Sequence, residues 1–242
     1  MGLFTGGNIR QANDPRHFWR SLFGADNTAG FSPSGQPGLV AHYDASVASS
    51  ITIATGVRQW NDLTGLGHNL LQATGGLQPT ISGNGVLFGS GMFMQTATFT
   101  LGQPWTIYLV MMQTTWGNGR SFFDGFTNNT SQIQQRGVTP QLQLFGGTSF
   151  VATNAGLALN TNAVVSGVFS GAASSLRVNK TAATTGNGGS TSVAGFTLGS
   201  LANGTFGANS LVFEVLIFNV AHSTAQQNQI ILALGNKWGI AV

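Results

Sequence analysis

Apolar residues run unbroken from Ile107 to Met112, the pattern of a strand buried on both faces. Gln141–Leu142–Gln143–Leu144–Phe145 instead alternates with a period of two, as a half-buried strand does. Val164 to Phe169 and Leu176 to Asn179 read as a strand pair joined across Gly171–Ser175. Val212 to Phe218 is a further strand, with Glu214 on one face. Glycine-rich turns separate these runs, and no strand–helix–strand alternation is present, so an antiparallel all-β fold is predicted. One helix is predicted at the end of the chain. Ser223 and Gln226 form a capping box, and Gln227, Ile230, Ile231, Leu234 and Trp238 mark one face at helical spacing.

The first 37 residues differ. Asp14 followed by Pro15 is a helix start, and Phe18 with Leu22 and Trp19 with Phe23 then fall on one stripe, with Arg16 and Arg20 beyond its edge. Such a short amphipathic helix needs a surface. Its own domain, a partner protein and a membrane surface are the alternatives. Residues 1–37 are therefore read as an extended assembly arm and 38–242 as one domain. No internal repeat is evident.

Composition changes this picture in two ways. Only 6% of the 242 residues are charged, against about 25% in ordinary domains. The 42% hydrophobic content and net charge of +3 nevertheless exclude disorder. With no cysteine in the chain, disulfides and cysteine-based metal centres are excluded. The scattered basic residues make no nucleic-acid footprint. No apolar stretch reaches the roughly 18 residues of a membrane span. Neither a secretory signal nor a myristoylation site is read at the start, where Gly6 stands in place of the required Ser or Thr. The Asn-x-Ser/Thr triplets at Asn128, Asn179 and Asn203 are read as chance.

Three ordered stretches carry a resemblance. They are LVAHYDAS with VRQWNDLTGLGHNLLQ (39–46 and 57–72), AVVSGVFSGAASSLRVNKTAAT (163–184), and FTLGS with LVFEVLIFNVAHSTAQQNQIILALGNKWGI (196–240). Together they resemble bacterial and bacteriophage laminin G-like domains of the concanavalin A-like superfamily. The resemblance spans about residues 38–242 and leaves the arm outside. It implies an antiparallel two-sheet jelly-roll sandwich closed by one short C-terminal helix. Within it, Trp60 and Trp238 are expected as core aromatics, Asp62 as the cap of the turn at Gly65 and Gly67, and Asn179–Lys180 as a hairpin turn.

Chemistry is sparse. A glycosidase needs two carboxylates flanking the bond, but no two of Asp14, Asp26, Asp44, Asp62, Asp124 and Glu214 lie within ten residues of each other. Glu214 is expected to have no acidic companion on a strand. No nucleophile elbow or phosphate-cradling glycine motif occurs, and His17, His42, His68 and His222 lack metal spacing, so each is read as a surface or loop histidine. No cofactor, metal site or catalytic residue is expected. Asp124 beside Gly125 is the best single candidate for a calcium ligand. Trp116, Asn118, Arg120 and Asp124, with Arg136 farther on, form a stretch suited either to sugar recognition or to packing on a neighbouring surface.

These features lead to an expected non-enzymatic bacteriophage structural component, assembled in the bacterial cytoplasm and incorporated into the virion. Its expected partners are other virion proteins and further copies of itself, with neither nucleic acid nor membrane. A carbohydrate-binding attachment module, with a cell-surface glycan as partner, is the alternative, and a glycoside hydrolase or lyase a more distant one.

Overall fold

The computed structural model describes residues 32–153 and 156–242. The arm residues Arg16, Phe18, Trp19, Arg20, Leu22 and Phe23 lie outside the described residues. The strands are β1 (Leu39–Asp44), β2 (Ile51–Ile53), β3 (Val57–Trp60), β4 (Leu70–Leu71), β5 (Thr80–Ser82), β6 (Gly85–Phe88), β7 (Met94–Gln95), β8 (Trp105–Gln113), β9 (Arg120–Gly125), β10 (Gln132–Gln135), β11 (Leu142–Phe145), β12 (Phe150–Ala152), β13 (Asn162–Phe169), β14 (Ser174–Val178), β15 (Thr184–Gly186), β16 (Phe196–Leu198) and β17 (Ser210–Phe218). They form two antiparallel sheets. One runs β15-β14-β13-β8-β17-β6-β5, with β1 also paired to β17; the other runs β12-β11-β10-β9-β16-β7-β4-β3-β2.

The two sheets face each other across one core, and their period-two alternation decides what enters it. From β8, Ile107, Leu109 and Met111 point into the space between the sheets, whereas Tyr108 and Val110 point the other way. On β17, Val215 and Ile217 point inward, Leu216 and Phe218 outward. The outward set is not solvated. Helix α1 (Thr224–Trp238) lays Ile230, Ile231 and Leu234 over it, forming a second apolar layer. That layer is why the Ile107–Met112 run has no polar alternation: β8 is sandwiched between the core and the helix. At the centre of the core Trp105 stacks on Phe169 with centroids 3.9 Å apart, a contact worth about 0.5–1.5 kcal/mol beyond burial.

The expected local devices appear with their physical causes. Trp60 is fully buried. Trp238 is half-buried and packs on Phe213 in the helix layer rather than between the sheets. The Asp62 carboxylate accepts N–H bonds from His42 (3.0 Å), Thr64 (3.1 Å) and His68 (3.2 Å), fixing the turn as expected. Asn179 turns the chain at φ 52°, and its Oδ1 accepts the Val164 N–H at 2.9 Å. The turn at Pro33–Gly35 already lies against β1 and α1, so the sandwich begins a few residues before 38.

Helix α1 starts at the capping box: Ser223 Oγ accepts the Gln226 N–H (3.3 Å), and Gln226 Oε1 accepts the Ser223 N–H (2.9 Å). It ends on Gly239 at φ 65°, a left-handed cap. Ser223→Ala is expected to cost about 1 kcal/mol of unfolding free energy. A denaturation midpoint equal to that of the wild type would show that the box adds nothing.

Candidate functional site

The outer face of the nine-stranded sheet carries a groove of about 260 Å³. Alternation builds it. Ile133, Leu142, Leu144 and Val151 of β10, β11 and β12 go to the core, so Gln132, Gln134, Phe145 and Phe150 stand on the opposite face. Phe145 and Phe150 are cross-strand partners with ring centroids 4.7 Å apart. The Arg136 guanidinium lies 4.2 Å from the Phe150 ring centroid. On the other side stand Asn129, Leu201 and Phe206, the last exposed and lying 6.0 Å from the Arg120 guanidinium. Gln132 donates to Asn129 Oδ1 at 2.7 Å. The Gln134 side chain is buried to 3% exposure yet has no hydrogen-bond partner among the described residues. The groove thus offers apolar ring faces, planar amides and a guanidinium, a lining suited to ligand recognition.

Asp124 holds this wall together from beneath. It is fully buried, and its Oδ1 accepts N–H bonds from Gly125 (2.8 Å), Thr130 (3.3 Å) and Ser131 (3.4 Å). Its Oδ2 accepts from Asn129 (3.0 Å) and Ala202 (3.4 Å). One carboxylate therefore ties the 126–131 loop, which carries Asn129, to the loop bearing Leu201 and Phe206. Gly125 is required beside it, because a Cβ there would lie 2.1 Å from Thr130 Oγ1. Burial pushes the Asp124 carboxyl up to about 6 against the opposing pull of these donors. Both oxygens face converging N–H groups, an environment that repels a cation, so Asp124, the best single candidate for a calcium ligand in the sequence, serves as an anchor instead.

Of the other residues singled out in the sequence, Arg136 lines the groove and Arg120 flanks it through Phe206. Asn118 acts indirectly, its Oδ1 accepting the Gly137 N–H at 3.1 Å beside Arg136. Trp116 is half-buried and not part of the lining. The sequence reading missed Phe145, Phe150, Phe206, Asn129, Gln132 and Gln134. The period-two spacing of Gln132 and Gln134 is a signal that could have found those two amides, whereas Asn129 and Phe206 stand in loops, outside any such period.

A second polar cluster lies between β1, β17 and α1, and it corrects two expectations. Glu214 does have an acidic strand companion, because Asp44 is its direct partner in the β1–β17 register. His42 and His222 are buried rather than surface groups. His42 Nε2 lies 2.8 Å from Glu214 Oε1, and Trp238 Nε1 donates to Glu214 Oε2 at 2.6 Å. Lys237 Nζ donates to Asp44 Oδ2 at 2.6 Å and to Glu214 Oε2 at 2.7 Å. His42, Asp44 and Glu214 each present an atom within 4.8 Å of the others, a metal-like spacing, but here the chain's own ammonium bridges the two carboxylates. Burial alone would raise Asp44; hydrogen bonds from Lys237 and Ser46, with the Lys237 charge, outweigh it and hold Asp44 below the usual carboxylate range. His222 Nδ1 lies 2.8 Å from the Tyr108 hydroxyl, and burial lowers its pKa.

The architecture defines a jelly-roll-like β-sandwich, and the solved structures it resembles are of that kind. No protein-family profile matches the chain, and no curated protein matches its sequence. A Trypanosoma rangeli sialidase in complex with sialic acid superimposes with a TM-score of 0.61 at 12% identity, over 87% of this chain and 35% of that one. This chain thus spans about a third of the sialidase. Domain 4 of AbnA, a GH43 extracellular arabinanase from Geobacillus stearothermophilus, in complex with arabinotriose, matches over 80% of this chain and 98% of its own, with a TM-score of 0.56 and 14% identity. The binding domain of botulinum neurotoxin serotype D/C matches over 81% and 52%, with a TM-score of 0.57 and 13% identity. At these identities the likeness is one of fold. The expectation of a bacteriophage structural component is corrected here: these neighbours are a sialidase, an arabinanase domain and a toxin binding domain, and none of them is a phage particle protein.

Proposed function

We propose that the chain is a glycan-binding β-sandwich module without a hydrolytic centre of its own. The observation that carries this reading is the groove over β10, β11 and β12, where the Phe145–Phe150 pair stands beside the unpartnered Gln134 amide and the Arg136 guanidinium. Ring faces stack on the apolar face of a sugar, while planar amides match its vicinal hydroxyls. The saccharides bound to two of the neighbours, sialic acid and arabinotriose, add support. Against hydrolysis stands the use of the acids among the described residues: Asp44 and Glu214 are bridged by Lys237, Asp62 caps its turn, and Asp124 is filled by backbone donors.

The test is direct binding of the full chain to an array of oligosaccharides, with reducing-end release measured in parallel. Phe150 is partly exposed on a three-residue edge strand, so Phe150→Ala is expected to leave the unfolding midpoint nearly unchanged. Its loss of a central ring should weaken saccharide binding about tenfold or more. Equal affinity in the variant would remove this groove as the site, and robust hydrolysis by the wild type would end the non-catalytic reading.

A further inference from the structure

We propose that the saccharide selected by this groove carries a carboxylate, as in a sialic or uronic acid, and that Arg136 is the residue that reads it. The inference rests on the glycan-binding reading and names its ligand class.

Charge accounting over the described residues supports it first. Asp44, Asp62, Asp124 and Glu214 are all buried, each with its carboxylate taken by protein donors. The charged side chains that reach solvent among the described residues are cationic: Arg58, Arg120, Arg136, Lys180 and Lys237. Among the described residues the acids are therefore all inside, while of the bases only Arg177 is buried. Lys237 is neutralised by Asp44 and Glu214, so the unpaired charges at the described surface are those of Arg58, Arg120, Arg136 and Lys180, which draw anionic ligands and add nothing for neutral ones.

The geometry then selects the kind of anion. Arg136 is exposed and makes no side-chain hydrogen bond or ion pair among the described residues. Its guanidinium carbon lies over the Phe150 ring, 4.2 Å from the centroid, and its N–H groups have no partner among the described residues. A guanidinium edge matches two coplanar oxygens, the acceptor pattern of a carboxylate. Arg120 stands across the groove beside Phe206, adding a second positive charge at longer range. Gln132, Gln134 and Asn129 line the floor and wall for the sugar hydroxyls. No carboxylate is free nearby to compete, because Asp124 beneath the wall is spent on backbone N–H groups.

Isothermal titration of the full chain tests this with matched ligands: sialyllactose, its methyl ester, lactose, and digalacturonate with its neutral galactose counterpart. The expected result is binding of an acidic member, with its ester or neutral counterpart about tenfold or more weaker. Which acidic sugar binds distinguishes the two sources of the carboxylate. Arg136→Gln should erase that preference, while Arg136→Lys retains part of it, since charge survives and the fork does not. Raising salt from about 0.05 to about 0.5 M should weaken the acidic ligand and leave the neutral one unchanged. Neutral and acidic sugars bound equally, with Arg136→Gln silent, would overturn the carboxylate inference and leave the glycan module standing. No binding to any acidic or neutral saccharide would overturn both.

Discussion

Replacing Lys237 by Met is expected to cost about 3 kcal/mol of unfolding free energy and to reverse the sign of the local pH dependence. Asp44 and Glu214 are direct cross-strand partners on β1 and β17, almost fully buried, and Lys237 is the bridging cation at 2.6 and 2.7 Å. Removing one member of a buried ion pair strands the others, a loss of roughly 3–5 kcal/mol. The lower end applies because the Lys237 side chain is itself 37% exposed, so solvent already screens part of its charge. His42 and Trp238 keep contact with Glu214 but leave Asp44 without its cation.

The pH dependence separates this account from simple loss of packing. In the wild type the Asp44 carboxyl is held below its usual value. Its stabilisation is then present above the unfolded pKa of about 3.9 and is lost as pH falls through the lower folded value. In Lys237→Met two carboxylates face each other, so one retains a proton and its folded pKa rises above the unfolded value. That contribution is present at acid pH and lost as pH rises. Chemical denaturation at mildly acidic and mildly basic pH should show a larger deficit in the basic arm. A pH-independent deficit would mean that the lysine acts only through its aliphatic stem. Adding Glu214→Gln to the variant should recover part of the loss, because one buried charge is removed with its cation.

This cluster also shows where the sequence stops being informative. The β8 run, the paired strands β13 and β14 and the capped helix were legible because each is set by spacing within a few residues. The partnership of Asp44 with Glu214 was not, because it depends on β1 lying beside β17, and nothing in the spacing of two acids so far apart encodes that pairing. The groove has the same history. Arg120 and Arg136 stood out as cations in a glycine-punctuated stretch, whereas Phe150 and Phe206 reach the groove from β12 and from the loop after β16. Trp116 was attractive by composition, but the β8–β9 connection leaves it out of the lining. Histidines read as loop residues turned out buried because strand β1 and the approach to α1 are covered by the helix layer.

Asp124→Ala is expected to cost at least about 3 kcal/mol and to abolish ligand binding at the groove without touching any lining side chain. The five backbone N–H groups that converge on this carboxylate come from Gly125, Asn129, Thr130, Ser131 and Ala202. Each buried donor left unpaired costs about 1–3 kcal/mol, less where water enters the vacated space. Asp124→Asn is not a rescue, because its NH₂ group would face one set of those donors. The wild-type carboxyl, pushed up to about 6 by burial, makes its own prediction. With the folded pKa above the unfolded value of about 3.9, the contribution is fully present below the unfolded value and is lost as pH rises through about 6. Stability should therefore fall by on the order of 3 kcal/mol between those limits, and the fall should vanish in Asp124→Ala. Asp44 acts only below that window, so the two carboxylates can be told apart in one titration. A flat wild-type profile from pH 4 to 6 would show that the five donors outweigh burial and that the carboxylate is ionised throughout. Retained binding in a folded Asp124→Ala variant would show that the wall bearing Asn129 and Leu201 is placed by something other than this anchor.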